Sequence, residues 1–280
     1  MLVNIGCGAT WHPAWNNLDV RPLHPEVRRW DAGKGLPFRD GEVDACYASH
    51  VLEHLTQEQA RTFLRESYRV LRAGGIIRLA VPDLEGIARE YLRTLEGAEA
   101  GDPSAQRQHR WMTLELLDQL VRDRTGGDME RYLRTEAREQ AKYVMARIGQ
   151  EAKQYMEAER SDAASSGRLD RSGASLGARR NIVARGVRKL WSLLPAKVRR
   201  LGQEEQEALR IGRFRMSGEC HRWMYDRLSL RCLLEESGFA GAQICTAFHS
   251  GIPGFADYQL DVADGLVRKP DSLFMEATKR

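Results

Sequence analysis

Several protein classes are excluded by what the chain lacks. Its five cysteines, at 7, 46, 220, 232 and 245, include no Cys-x-x-Cys pair and form an odd set, which argues for reduced thiols over a disulfide scaffold or a zinc knuckle. No apolar run approaches the ~18 residues of a membrane span; Ile76 to Val81 is only long enough for a strand. The opening Met1 to Gly8 has no basic n-region and no long apolar h-region, so a cytoplasmic protein is expected. Charge of one sign is also scarce: 43 Lys and Arg against 39 Asp and Glu leave +4, too little to argue for a nucleic-acid partner. The excess is local, because residues 161–200 carry ten Lys or Arg and two Asp. What remains is ordinary: 280 residues, 42% hydrophobic and 29% charged, enough for two modest domains or for one domain with a large insertion.

Strand and helix patterns alternate over the first 84 residues. Short apolar runs at Leu2 to Ile5, Asn17 to Val20, Val27 to Trp30 and Val43 to Ser49 predict strands. Thr56 and Gln59 have the spacing of a capping box, and Ala60, Phe63, Leu64, Ser67 and Leu71 follow at helical period until Gly74-Gly75. Ile76 to Val81 is the next strand, stopped by Pro82-Asp83. This alternation predicts an α/β fold, a doubly wound, mostly parallel sheet covered by helices. From residue 85 the period becomes helical, with Asp102-Pro103 as cap and first-turn proline, and Met129 to Ile148 predicts a second long helix. Residues 161–181 read as a mobile basic loop, and Val183 to Leu194 as a short amphipathic basic helix. The α/β pattern returns with a helix at Leu230 to Gly238 and strands at Ala242 to Phe248 and Ser272 to Thr278. The expected organisation is a first α/β part over 1–84, a helical insertion over 85–215, and the last helix and strands over 216–280.

The polar residues of the α/β part fall at strand ends. Gly6-Cys7-Gly8 is a turn where missing side chains let the backbone approach a ligand. Asp19 closes the second strand, where a carboxylate can accept from both ribose hydroxyls of a nucleoside. Asp31-Ala32 closes the third and His50 the fourth. One sheet edge thus gathers the groups that line the ligand crevice of open α/β sheets.

These segments, Val3 to Gly8, Trp15 to Asp19, Leu36-Pro37-Phe38 with Asp44, His50 to Leu55 and Glu66 to Gly75, together resemble class I S-adenosylmethionine-dependent methyltransferases of the type 11-like group. His221 to Asp226, followed by Leu230 to Phe239, resembles a subgroup met in cell-surface glycan pathways. The resemblance covers about residues 2–84 and 217–280. It implies a seven-stranded sheet with the last strand antiparallel and S-adenosyl-L-methionine as cofactor. The methionine end would lie over Asn4, Gly6, Cys7 and Gly8, the ribose on Asp19, the adenine near Asp31 and Ala32, and the methyl-bearing centre beside His50. Two departures stand out: Ala9-Thr10 replaces the usual third glycine, and the ten residues between Gly8 and Asp19 are too few for a crossover helix. A turn around Pro13-Ala14 is expected instead.

Methyl transfer from a sulfonium is an in-line displacement, so the protein chiefly aligns the reactants, excludes water and sometimes supplies a base. For a hydroxyl acceptor the candidate bases are His54, Asp83 and His221, with His221 favoured. Asp83, Trp223 and Tyr225 are expected on the acceptor side, although His221 to Tyr225 also reads as the plain entry to the last helix. His50 to His54 matches the H-x-x-E-H pattern of inverted zinc proteases, but that chemistry needs a helix where the pattern shows a strand end, and no metal is expected. An NAD-linked enzyme would need G-x-G-x-x-G opening a full helix, which is missing. The basic helix at 183–194 suits either packing on the inserted helices or peripheral contact with an anionic membrane, on the inner face. Nucleic acid is not expected, since no aromatic platforms interleave the arginines. The resulting expectation is a methyltransferase acting on a hydroxyl or amine of a small-molecule or glycan acceptor. A non-catalytic cofactor-binding or membrane-surface scaffold is the alternative.

Overall fold

A computed structural model describes residues 1–149, 152, 155 and 202–280. The loop expected at 161–181 and the basic helix expected at 183–194 lie outside the described residues. The main sheet takes β1 (Leu2–Ile5), β2 (Asn16–Asp19), β3 (Val27–Arg29), β4 (Val43–Ser49), β5 (Leu71–Pro82), β6 (Phe239–Cys245) and β9 (Ser272–Lys279) in the order β3-β2-β1-β4-β5-β9-β6. β9 runs antiparallel to both β5 and β6, while the pairs from β3 through β5 are parallel. A two-stranded hairpin, β7 (Val262–Ala263) with β8 (Leu266–Val267), precedes β9. The expected doubly wound, seven-stranded α/β sheet with its antiparallel last strand is therefore the observed one.

The chain leaves β1 for β2 and β3 on one side and returns to β4 on the other. The carboxyl ends of β1 and β4 therefore flank a topological switch point, the place where open α/β sheets bind ligands. As the short spacing requires, β1 and β2 are joined by turns without a helix. Helix α1 (Gln57–Val70) begins with the predicted box: Thr56 Oγ1 accepts from the Gln59 amide at 3.2 Å, and Gln59 Oε1 accepts from the Thr56 amide at 2.9 Å. Its buried face, Ala60, Phe63, Leu64, Ser67 and Val70, packs into the main core with Val3, Ile5, Leu79 and Met275.

Boundaries differ from the sequence pattern where tertiary bonds decide them. Leu71 opens β5 instead of closing α1, and the pairing jumps from Val43↔Leu71 to Ala45↔Ile76, so Gly74-Gly75 lies in a bulge of the strand. The predicted strand at 242–248 starts and ends three residues earlier. Residues 246–249 turn instead over the buried Arg78, whose guanidinium donates to Thr246 O at 2.8 Å and His249 O at 3.0 Å.

Between β5 and the last α/β helix stand α2 (Leu84–Glu99), α3 (Pro103–Val121), α4 (Gly127–Thr135), α5 (Ala141–Ile148) and α6 (Gln203–Arg215). Asp102 caps α3 by accepting from Ser104, with Pro103 in the first turn, as predicted. The single long helix expected over 129–148 is broken by a 3-10 turn at Ala137–Gln140. The turn buries Ala137 and Gln140 and lets Val144 and Ile148 join Trp111, Met112 and Leu133 in a second apolar cluster. α7 (Arg227–Glu236) follows, capped by Asp226, which accepts from Leu228 and Ser229.

Candidate active site

The site is built outward from the end of β1. Gly6 has φ +69°, and a Cβ there would stand 2.4 Å from Val51 Cγ2, so only glycine lets the strand turn beneath the segment after β4. The amides of Gly6 and Cys7 donate to Leu18 O at 2.8 and 3.2 Å, and the Gly8 amide donates to Asp19 Oδ2 at 2.8 Å. The turn therefore offers a bare, closely approachable backbone, while these three donors serve to tie it to β2. Asp19 Oδ1 accepts from the Arg21 amide at 2.7 Å. Two oxygens with about four lone-pair sites leave acceptor capacity for a ligand hydroxyl. Cys7 is buried; burial, reinforced by the charge of Asp19, pushes its thiol up to about 12.

Asn4 is 1% exposed and sits between β2 and β4, in register with Asn17 and Tyr47. Its amide nitrogen donates to Thr10 O at 3.0 Å and Asn17 Oδ1 at 3.2 Å, holding the turn closed, and its Oδ1 has no hydrogen-bond partner. Asp31 Oδ1 accepts from Gly33 N at 3.0 Å and caps a 3-10 turn over Ala32–Lys34.

His50, just after β4, has φ +55°, a conformation uncommon outside glycine and most often retained where a function needs it. Its amide donates to Ala80 O at 2.8 Å, its Nε2 lies 2.7 Å from Ser272 Oγ, and its Nδ1 lies 3.2 Å from Glu53 Oε1. Glu53 is fully buried. Burial alone would raise its carboxyl, yet nearby imidazoles, His50 foremost, bring it down to about 2. His54 Nδ1 is 3.2 Å from Cys220 O; since a carbonyl only accepts, Nδ1 carries the proton. Burial lowers the pKa of His54 and carries His221 down to about 3, in each case against the pull of Glu53. The two rings meet edge to face at 4.9 Å.

Three adjoining cavities share His50. A crevice of about 440 Å³ is lined by Gly6, Asp19, Asp31, Ala32, His50 and the segment Met216–Gly218. A second, of about 280 Å³, is lined by Asn4, Gly6, Cys7, Gly8, Arg268 and Lys269. A third, of about 150 Å³, lies where His50, His54 and His221 meet Gln119, Met129 and Ile148 of the helical block. All eight residues expected to bind cofactor border one of the first two, and both histidines expected to act as bases border the third.

The other three expected site residues line none of these cavities. Asp83 stands at the start of α2, and its amide donates to Asp271 O at 2.9 Å. Trp223 and Tyr225 line a separate cleft of about 210 Å³ with Arg61 and Glu236, and Tyr225 is 2% exposed within the main core. Sequence reasoning missed Arg268, Lys269, Ser272 and Met216–Gly218. They lie in loops or at a strand start without periodicity, so only the fold brings them in; the spacing of Glu53 beside two histidines was the one available signal.

Residues 4–79 match the family model of a methyltransferase domain. The matched segment runs from β1 into β5 and contains Gly6, Asp19, Asp31 and His50. The observed sheet, seven strands with β9 antiparallel, is the one the family resemblance implies. A search of curated proteins finds no match. Among solved structures the chain is similar to a SAM-dependent methyltransferase, possible histamine N-methyltransferase, from Thermotoga maritima, at 10% identity over 99% of this chain and 81% of that one, TM-score 0.38. A SAM-dependent methyltransferase from Archaeoglobus fulgidus is similar at 12% identity over 99% and 85%, TM-score 0.38. A putative S-adenosylmethionine dependent methyltransferase from Listeria monocytogenes is similar at 12% over 100% and 89%, TM-score 0.36. No helix among the described residues is long and apolar enough to cross a membrane.

Proposed function

We propose that this protein transfers a methyl group from S-adenosylmethionine to a hydroxyl or amine of a small-molecule or glycan acceptor. The observation that carries the reading is the convergence at the β1/β4 switch point of a glycine-only turn, an Asp19 with spare acceptor capacity and an orphaned Asn4 oxygen. The residues suit the cofactor. The partnerless Asn4 Oδ1 and the cationic Arg268 and Lys269 border one cavity, which matches an amino acid's ammonium and carboxylate. Asp19 suits ribose hydroxyls, and Trp30, Ala32, Val51 and Leu55 give the larger crevice apolar walls for a purine.

When bound, S-adenosylmethionine supplies a methyl group on a cationic sulfur. The chain contributes alignment and a dry surround, which together can provide much of the rate. The acceptor enters the 150 Å³ cavity, reaching the cofactor site past His50, which borders all three spaces. The helical block thereby forms the acceptor side.

Calorimetry on folded protein tests the reading. Asp19→Asn should weaken S-adenosylmethionine roughly 10- to 100-fold, the worth of hydrogen bonds to a charged group, and lower methylation of a fractionated cell extract in parallel. No heat from the unaltered protein with either the cofactor or its demethylated product overturns the assignment. Binding with no labelled acceptor in any fraction favours the non-catalytic scaffold.

A further inference from the structure

Beneath the inner cavity, and independently of the cofactor reading, the geometry points to a divalent transition-metal site formed by Glu53, His54 and His221, of the zinc class and open on its cavity side. The ligand atoms of the three side chains all lie within 4.8 Å of one another. Four-coordinate zinc, with bonds of ~2.0–2.1 Å, places its ligands about 3.4 Å apart, so binding draws the three ligand atoms closer together than they stand here.

A second observation asks for a cation here. Glu53 is 0% exposed, and neither of its carboxylate oxygens has a hydrogen-bond partner. The nearest polar group is His50 Nδ1, which faces Oε1 at 3.2 Å as an ion-pair partner. Burying a carboxylate with so little hydrogen bonding is among the costliest arrangements a fold can keep. A dication held by one carboxylate and two imidazoles removes that cost.

The histidines are presented as ligands are. With its Nδ1 proton directed at Cys220 O, His54 has its Nε2 lone pair unprotonated, and a carbonyl bonded to the far ring nitrogen is the usual support of a metal-ligating histidine. The two ligand-bearing segments are locked together by the backbone. The amides of Arg222 and Trp223 both donate to Glu53 O, at 2.6 and 3.3 Å, and the His221 amide donates to Gln119 O at 2.9 Å. His54 and His221 also border the 150 Å³ cavity, so a fourth position can take water or an acceptor oxygen. The arrangement differs from the protease reading of the pentad. His50 to His54 spans a strand end and a 3-10 turn, Glu53 becomes a ligand in place of a base, and His221 from a remote segment completes the set.

Protein stripped with chelator and free of S-adenosylmethionine, titrated with Co²⁺ and then competed with Zn²⁺, tests the site apart from the methyltransferase assignment. The expected result is one cobalt per chain, with the visible ligand-field bands of four-coordinate nitrogen and oxygen donors and no thiolate charge-transfer band. Glu53→Gln, His54→Gln and His221→Gln should each weaken binding by at least ~100-fold, beyond the loss of an outer-shell partner. Absence of saturable cobalt and zinc binding to the folded, unaltered chain overturns the proposal. So does a thiolate band, or undiminished binding in the variants that keep the native circular dichroism. Should every variant unfold, the spectrum and stoichiometry of the unaltered protein decide alone.

Discussion

At the scale of single residues, two glycines of one turn do different work. Gly6 and Gly8 both have positive φ, but a Cβ at Gly6 would meet Val51 Cγ2 at 2.4 Å, whereas nothing lies within 4 Å of one at Gly8. Gly8→Ala should therefore cost only the backbone strain, ~1–2 kcal/mol. Gly6→Ala adds a clash beneath the cofactor crevice and should lose both more stability and the binding of S-adenosylmethionine. Urea unfolding and calorimetry on the pair check the ordering, and equal effects would deny Gly6 its role. Cys7 yields a pH prediction. Its pKa is raised in the fold, so stability from the buried thiol is complete below the unfolded value of ~8.5. It declines as the pH rises from there toward about 12, because the unfolded chain releases the proton first. Although Cys7 borders a cavity, it should resist alkylation at neutral pH while the exposed Cys232 reacts. Mass spectrometry of iodoacetamide-treated protein would show the order.

At the scale of elements, β4, β5, β9 and the β7–β8 hairpin are joined by one buried ionic group. Arg78 is 0% exposed and donates to Asp261 and Glu276, each at 2.7 Å, while Tyr47 OH donates to Asp261 at 2.6 Å. Phe255 and Phe274 stand over the guanidinium at 4.6 and 5.5 Å. Arg78→Met would leave two carboxylates buried without their cation. The expected loss is ~3–5 kcal/mol, read as a lower urea midpoint, and a change below 1 kcal/mol would mean that water reaches the carboxylates. This network also marks the limit of what the sequence discloses. The parallel α/β layout, the missing first crossover helix and the caps at Thr56 and Asp102 follow from local chemistry, and β1 to β5 could be placed from it, while the antiparallel last strand was implied by the family resemblance. Arg78 instead reads as a polar interruption of an apolar strand, because its partners lie about 180 and 200 positions away. The early end of β6 and the break at Ala137–Gln140 were hidden for the same reason: each serves a distant contact. In the site, the strand-end residues were legible through their spacing. Trp223 and Tyr225 were drawn toward the acceptor by proximity to His221 in sequence, yet Met224 between them borders the His221 cavity while Trp223 and Tyr225 line another cleft.

At the scale of the whole molecule, the large crevice is closed by parts that come from opposite ends of the chain. Strand ends Gly6, Asp19 and Asp31 form one wall, and Met216–Gly218 with Arg222, reached only after the helical block, form the other. Arg21 Nη2 donates to Ser217 O at 3.1 Å, an exposed contact that by itself contributes little. The Arg222 end of the second wall is held by its amide bond to Glu53 O at 2.6 Å, and a ligand seated between the walls would add attraction on Met216–Gly218. Anything that binds only the folded state stabilises it by RT ln(1 + [L]/Kd), about 2.7 kcal/mol at a hundredfold excess over Kd. For a chain of this size each kcal/mol moves the midpoint by ~2–4 °C, so S-adenosylmethionine should raise Tm by roughly 5–10 °C. Hydrogen exchange distinguishes where that stabilisation falls. If the crevice is the cofactor site, amides of Ser217, Gly218 and Arg222 slow together with those around Gly6–Gly8 and Ala32–Gly33. Slowing confined to the strand ends would place the cofactor wholly in the cavity of Asn4 and Lys269 and leave the second wall to the acceptor.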